Sequence, residues 1–347
     1  MATACLVRAN PRKCGHMTRP EELARAVAEF PKSFAGLRDE VARVFLGDPT
    51  TIDAFLCALF AGGHVLLEGA PGLGKTTLVQ GVADALDLSF RRIQFTPDLM
   101  PADITGTRVL DEDERGSRRF VFHRGPVFAN VVLADEINRA TPRTQSALLE
   151  AMQERQVTVF GDRLELERPF FVAATQNPIE MEGTYPLPEA QLDRFLCKLE
   201  LATPSHEALV SILEATTGAE RARPAAKLDR ARLSSMQALV REVPASTQCV
   251  DLVARTLLAT DPAHPTAPEA VRRHVRYGAS PRGGQAMLLG AKARALAHGE
   301  LHVREADLAA WVVPALRHRL VLNYEGEAAR ARTDELALAA FERARGG

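Results

Sequence analysis

The chain has 347 residues, 46% of them apolar and 25% charged, with 43 Lys and Arg against 44 Asp and Glu. That length suits about two domains with a buried core, and the composition is ordinary for a globular protein. The even charge lacks the basic surplus of a protein held to nucleic acid by phosphate contacts, so protein is the stronger candidate partner and no nucleic acid is expected.

The first 20 residues are basic and carry no continuous apolar segment of the secretory kind, and they stand as an unassigned leader expected to be disordered. Met17 is an alternative start. Cys5, Cys14 and His16 lie close together there, but the two cysteines lack the spacing of a metal site. Cys57, Cys197 and Cys249 are scattered and the chain has no C-x-x-C pair. Such usage fits a reducing compartment and gives a cytoplasmic location as the expectation.

Residues 21–44 bring apolar side chains round every three or four positions, which predicts one or two lead-in helices before Gly47 and Pro49 break the pattern. Residues 51–60 predict a further helix, closed by Gly62 and Gly63. The most apolar stretch, 52–67, is interrupted by Asp53 and His64 and is too short to cross a bilayer, so no membrane span is expected. Short apolar runs at 64–67, 91–95, 131–134 and 170–174 then alternate with helical patterns, the order of an α/β doubly wound parallel sheet. Two strand-turn-strand segments interrupt it, 107–110 with 118–122 around a charged turn, and 156–160 with 163–166 around Gly161-Asp162. Both predict inserted β-hairpins. After Pro204 the strand signal ends and Ala-rich helical patterns predict an all-helical second domain. The expected division is a leader at 1–20, a sheet-bearing unit at 21–203 and a helical unit at 204–347.

Gly69, Ala70, Pro71, Gly72, Leu73, Gly74, Lys75 and Thr76 spell GAPGLGKT, a complete G-x-x-x-x-G-K-[ST] phosphate-binding loop between a predicted strand and a predicted helix. Its glycines let backbone N–H groups turn toward phosphates, and the helix after it offers the positive end of its dipole. Lys75 adds a point charge for the β and γ oxygens, and the Thr76 hydroxyl is a ligand for Mg²⁺. Asp135 and Glu136 end the run 131–134, at the carboxyl edge of a buried strand where open α/β sheets bind ligands. Asp135 is placed to hold Mg²⁺ through its waters and Glu136 to polarise the water that attacks the γ-phosphate. The alternative is a plain helix cap. Asn177 closes the run 170–174, where an amide can hold the same water, with a simple Asn-Pro turn as the other reading. Arg194, in LPEAQLDRFL, and Arg282, in SPRGG, are candidates to meet the charge that develops on the phosphoryl group.

These words carry a resemblance. GHVLLEGAPGLGKTTL at 63–78, ADEINRATPRTQSALLEAMQERQV at 134–157, ATQNPIEMEGTYPLPEAQLDRF at 174–195, SPRGG and LRHR at 316–319 are similar to the MoxR family of AAA+ ATPases over about residues 36–330. The resemblance implies an AAA+ αβα nucleotide-binding domain with two inserted hairpins and a helical lid, binding ATP and Mg²⁺. It implies Walker A at Gly69–Thr76, helped by Thr77, Walker B at Asp135 and Glu136, sensor 1 at Asn177, an arginine finger at Arg194 and sensor 2 at Arg282. It further implies a homo-oligomeric ring, six subunits being the expected number, with Arg194 reaching a neighbour's nucleotide and Arg282 its own. Arg139 and Arg143 are alternative interface residues. The hairpins are expected to face the pore and a client protein, with Phe160 as an exposed tip or a core residue. A partner bearing a von Willebrand factor A domain is the adaptor class the family suggests. Phe45-Leu46-Gly47-Asp48 departs from the family wording near the expected adenine site. A nucleic-acid motor and a small-molecule kinase are the other functions such a loop could serve.

Overall fold

Buried apolar strands form the centre of the molecule in the computed structural model, which describes residues 20–112, 118–178, 184–218 and 222–346. Cys5, Cys14, His16, Met17 and most of the charged turn after residue 110 lie outside the described residues. Two helices lead in, α1 (Pro20–Ala42) and α2 (Pro49–Phe60). The first runs unbroken through Pro31, and the second starts on Asp48, whose carboxylate accepts the Thr50 N–H as an N-cap does. There follow β1 (Val65–Glu68), α3 (Lys75–Ala85), β2 (Phe90–Gln94) and the short α4 (Pro101–Thr105). The chain continues with β3 (Gly106–Glu112), β4 (Arg118–Arg124), β5 (Val131–Asp135), α5 (Pro142–Glu154), β6 (Gln156–Val159) and β7 (Asp162–Glu165). Next come β8 (Phe171–Gln176), α6 (Glu189–Leu192), β9 (Cys197–Glu200) and α7 (His206–Thr217).

The main sheet has five parallel strands in the order β2-β5-β8-β1-β9. Four of them are the predicted runs, shifted by one or two residues. The fifth, β9, is a strand that composition does not announce, because its CKLE sequence alternates two buried residues with two charged ones. It is an edge strand, and Lys198 pairs with Glu68 of β1 at 2.7 Å. Side chains of the central strands alternate between two cores. Val65, Leu67, Val131, Leu133, Phe171 and Ala173 join one core, and Leu66, Val132, Ala134, Val172 and Ala174 join the other. Burial on both faces is why these strands read as continuous apolar runs.

Both hairpins are present, β3 with β4 and β6 with β7. In the second, the turn residues are Phe160 and Gly161, with φ of 51° and 88°, one position earlier than the predicted Gly161-Asp162. Positive φ at both central residues is the hairpin turn whose twist matches that of its strands. Phe160 is at the tip, 68% exposed. Arg108 of β3 ties the hairpins together, pairing with Asp162 and placing its guanidinium 5.6 Å from the Phe160 ring centroid.

Beyond β9 the chain is helical as expected, with α8 (Arg230–Glu242), α9 (Thr247–Thr260), α10 (Glu269–His274), α11 (Pro281–Ala297), α12 (Glu305–Leu316), α13 (Tyr324–Ala328) and α14 (Thr333–Arg345). One short antiparallel ladder interrupts it, β10 (Val275–Tyr277) with β11 (Val321–Leu322). The apolar core is continuous from α1, α2 and α3 into α8, α11 and α12. Among the described residues no helix is long and apolar enough to cross a membrane.

His64 fixes the start of β1. Its Nδ1 accepts the Val172 N–H at 3.0 Å, so Nε2 carries the proton and donates to the Met152 carbonyl at 3.1 Å. Burial pushes its pKa down to about 4. A histidine depressed in the folded state binds fewer protons than its unfolded counterpart between pH 4 and the ordinary value near 6.5. Stability is therefore greatest above that range and lost as pH falls through it. We expect about 2 kcal/mol of this residue's contribution to disappear between pH 7.5 and pH 5. Urea midpoints at the two pH values check it, and His64→Gln should flatten the slope while lowering stability at pH 7.5.

Candidate functional site

The phosphate loop leaves the carboxyl end of β1 and runs into α3, whose first residue is Lys75. Gly72 and Gly74 take φ of 84° and 79°, a region where a side chain costs about 1–2 kcal/mol. Gly74 precedes α3, and the buried Phe45 ring lies 3.4 Å from where a Cβ on Gly74 would stand. Phe45 thus backs the loop. Lys75 donates to the carbonyls of Gly69 and, at 3.2 Å, Ala70. Burial lowers its pKa, while the charges of Asp135, Glu136 and Glu68 act in the other direction. Thr76 is half-buried and Thr77 exposed on the same first turn.

Asp135 ends β5, Glu136 follows it, and both lie at the carboxyl edge of the sheet with the loop. Thr175 of β8 joins the two acids. Its hydroxyl donates to Asp135 Oδ1 at 2.6 Å and accepts the Glu136 N–H at 2.8 Å. Glu136 has φ 55° and ψ 50°, a left-handed conformation that a non-glycine residue keeps only when its surroundings impose it. Asn177 is buried, one residue past β8, at the same edge.

Strand β2 contributes residues that sequence reasoning did not single out. Arg92 reaches Asp135 Oδ2 through Nε at 3.0 Å and Nη2 at 2.5 Å. Gln94 donates to Glu136 Oε2 at 2.9 Å and accepts from Arg92 at 2.9 Å. Arg139, expected at an interface, donates to the same Glu136 oxygen at 2.9 Å. Arg143 is exposed on the first turn of α5. The acids are thus fixed from three sides: Thr175 on β8, Arg92 and Gln94 on β2, and Arg139 in the turn that follows Glu136.

Arg194 and Arg282 are elsewhere. Arg194 immediately precedes Phe195 and Leu196, and the Leu196 N–H bonds to the His64 carbonyl at the amino end of β1. A cleft of about 490 Å³ opens there, lined by Arg155, Arg168, Arg194, Arg282 and Arg319 against two acids, Glu154 and Asp193. Arg282 is 3.6 Å from Asp193, and Arg194 Nε has no hydrogen-bond partner among the described residues. Burial lowers the pKa of Arg155, and the charges acting on it, Arg168 and Arg241, are like its own. Such a cleft draws an anion. The phosphate loop is at the other end of β1, about 13 Å of strand away. The expectation that Arg282 acts on its own subunit's nucleotide therefore meets a contrary placement. Helix α11 seats against α2 and the amino edge of the sheet, which turns Arg282 away from its own loop and toward Arg194.

A phosphate loop beside strand-end acids, followed by a helical lid, defines an AAA+ ATPase, and the comparisons agree. The model of the ATPase family associated with various cellular activities (AAA) matches residues 64–197, and that of the AAA lid domain matches 268–338. Chaperone MoxR1 of Mycobacterium tuberculosis is 42% identical over 82% of this chain and 75% of its own. The uncharacterised YeaC of Bacillus subtilis is 41% identical over 83% and 87%. Protein MoxR of Methylorubrum extorquens is 32% identical over 91% and 96%. A crystal structure of a protein assigned as an ATPase from Cytophaga hutchinsonii superposes with a TM-score of 0.86, at 35% identity over 93% of this chain and 97% of that one. The chain belongs to the MoxR family of AAA+ ATPases.

Proposed function

We propose that this ATPase hydrolyses ATP with Mg²⁺ to remodel, assemble or mature a client protein, acting in the cytoplasm as a homo-oligomeric ring. The observation that carries the reading is the separation of its charges. Loop and acids stand at the carboxyl edge of the sheet, and the arginines fit to meet a phosphoryl group stand at the amino edge. A second copy, set with its amino edge against the first copy's loop, would complete the site. A head-to-tail interface of that kind closes into a ring when the rotation fits, and six remains the number taken from the family. Both Arg194 and Arg282 then serve a neighbour's nucleotide.

Within one subunit, Gly69–Thr76 would cradle the phosphates, with Lys75 leaving the Gly69 and Ala70 carbonyls for phosphate oxygens. Thr76 and Asp135 supply the hard oxygen donors that suit Mg²⁺, and Thr175 already fixes one Asp135 oxygen. The ion, when bound, neutralises phosphate charge. Glu136 orients and deprotonates the attacking water, and Asn177 holds that water from the neighbouring strand. We take residues 21–203 as the unit that binds nucleotide and 204–347 as the lid.

The client side rests on the hairpins and on kinship. Val109, Leu110, Phe120 and Phe160 are exposed apolar residues on the paired hairpins, a surface suited to gripping a polypeptide. The mycobacterial relative is named a chaperone. A partner with a von Willebrand factor A domain is the adaptor we would test first. Phosphate release from ATP with no added acceptor should require Mg²⁺ and fall to background in Lys75→Ala. Turnover that waits on an added hydroxyl acceptor would favour the kinase reading instead, and stimulation by DNA the nucleic-acid motor.

A further inference from the structure

The LRHR segment at residues 316–319 lies apart from the phosphate loop and its acids, and its last residue, which lines the arginine cleft, is among the most fully engaged side chains in the molecule. Arg319 is 7% exposed. Its Nε donates to Asp193 Oδ1 at 2.7 Å, and its Nη2 donates to the carbonyls of Asp193 at 3.0 Å and Phe195 at 2.7 Å. Its Nη1 reaches the Leu196 carbonyl at 3.3 Å, His318 Nε2 at 2.8 Å and the Ala315 carbonyl. All five guanidinium protons have acceptors. Three of those acceptors are the carbonyls of residues 193, 195 and 196, which bracket Arg194.

Asp193 is also held from the lid. Ser280, the N-cap of α11, donates to its carboxylate at 2.9 Å. The carboxylate lies at the positive end of that helix, where an anion is favoured. Arg319 follows the end of α12 and Ser280 precedes α11, the two lid helices most extensively packed on each other. Next in the same segment, Arg317 grips the far end of β9, reaching Glu200 at 3.3 Å and Asp334 at 2.9 Å. The lid therefore clasps edge strand β9 at both ends and shapes the loop that carries Arg194.

We propose that Arg319 is a positioning residue for hydrolysis in the neighbouring subunit, holding the Arg194 loop through Asp193 so that the finger's aim follows the seat of the lid. This rests on the reading that Arg194 acts on a second copy's nucleotide. A guanidinium must meet the transferring phosphoryl group within a fraction of an ångström, and misplacement by about 1 Å is worth about 10²-fold in rate. Among the described residues Arg194 Nε has no hydrogen-bond partner and the Asp193 carboxylate pairs with Arg319 and Arg282, so the aim of Arg194 is set by the backbone on either side.

Mixing variants tests the idea. Arg319→Gln alone should lose about 10²-fold in kcat with KM for ATP little changed, because its own phosphate loop is untouched. Mixed with Lys75→Ala chains, which have a sound finger, it should recover about a quarter of wild-type turnover. Mixed with Arg194→Ala chains it should stay inactive, since neither supplies an aimed finger. Recovery in that second mixture would overturn the proposal, as would wild-type kcat in Arg319→Gln. Asp193→Asn, nearly isosteric, passes through the same mixtures, and keeps the question answerable if Arg319→Gln does not fold. The control is Arg194→Ala with Lys75→Ala. If that pair fails to recover, the trans finger itself is wrong; if it recovers and Arg319→Gln with Lys75→Ala does not, only the role given to Arg319 fails.

Discussion

Glu136→Gln should bind ATP as the wild type does and hydrolyse it about 10²- to 10⁴-fold more slowly, the usual worth of a general base. The side chain has two partners, Gln94 and Arg139, both donors to Oε2. The amide oxygen of glutamine can accept both, so the local geometry survives the exchange while the capacity to take a proton from water does not. The ion pair with Arg139 is partly exposed, and such pairs contribute about 0–1 kcal/mol, so folding should be nearly unaffected. On the proposed reading nucleotide affinity rests on the loop and Lys75, whose hydrogen bonds among the described residues go to Gly69 and Ala70 and not to Glu136. Phosphate release and equilibrium binding of a fluorescent ATP analogue separate the two effects. Wild-type turnover would remove Glu136 from the mechanism, and loss of binding together with turnover would make it an anchor instead of a base. A variant that holds ATP unhydrolysed is also the form in which to seek the client.

The three inner strands, β1, β5 and β8, were legible because burial on both faces leaves them almost wholly apolar, whereas edge strand β2, FRRIQ, is exposed at Arg91, Arg92 and Gln94. Strand β9 was not legible, since one face of CKLE meets solvent and the other the core, and four residues are too few to establish an alternation. The β6–β7 turn falls one residue before the position Gly161-Asp162 predicts. Gly161-Asp162 is the better turn dipeptide by composition, but the strand register pairs Val159 with Asp162 and forces Phe160 into the left-handed region. The phosphate loop and the paired acids were readable because their chemistry is contiguous in sequence. Arg92, Gln94 and Thr175 were not. They reach the acids only because β2 and β8 pair with β5 in a particular register, Gln94 opposite Asp135 and Ala174 opposite Ala134. Nothing in a single sequence states that register. The same holds for the lid: SPRGG marks a helix start, but which edge of the sheet it faces depends on how α11 packs against α2, a matter of many small apolar contacts.

Arg194→Ala should by itself reduce turnover about 10³-fold or more, as loss of a finger does, and recover when mixed with Lys75→Ala chains that are inactive alone. The first variant keeps an intact loop and acid pair; the second keeps an intact arginine cleft. In an equal, random mixture a competent site needs an Arg194→Ala chain offering its loop to a Lys75→Ala chain offering its finger. Each condition is met half the time, so about a quarter of interfaces should work, whatever the number of subunits in a closed ring. The distance between the two charge centres is the reason to expect this outcome. An arginine at the amino end of β1 cannot attend a phosphate at the carboxyl end without the lid and the 193–196 loop leaving the contacts that Arg319 and Ser280 make with them. If Arg282 also serves the neighbour, Arg282→Ala falls in the same complementation group, recovering with Lys75→Ala and not with Arg194→Ala. Recovery of Arg282→Ala with Arg194→Ala would return Arg282 to its own subunit's nucleotide and require the lid to swing across the sheet during turnover.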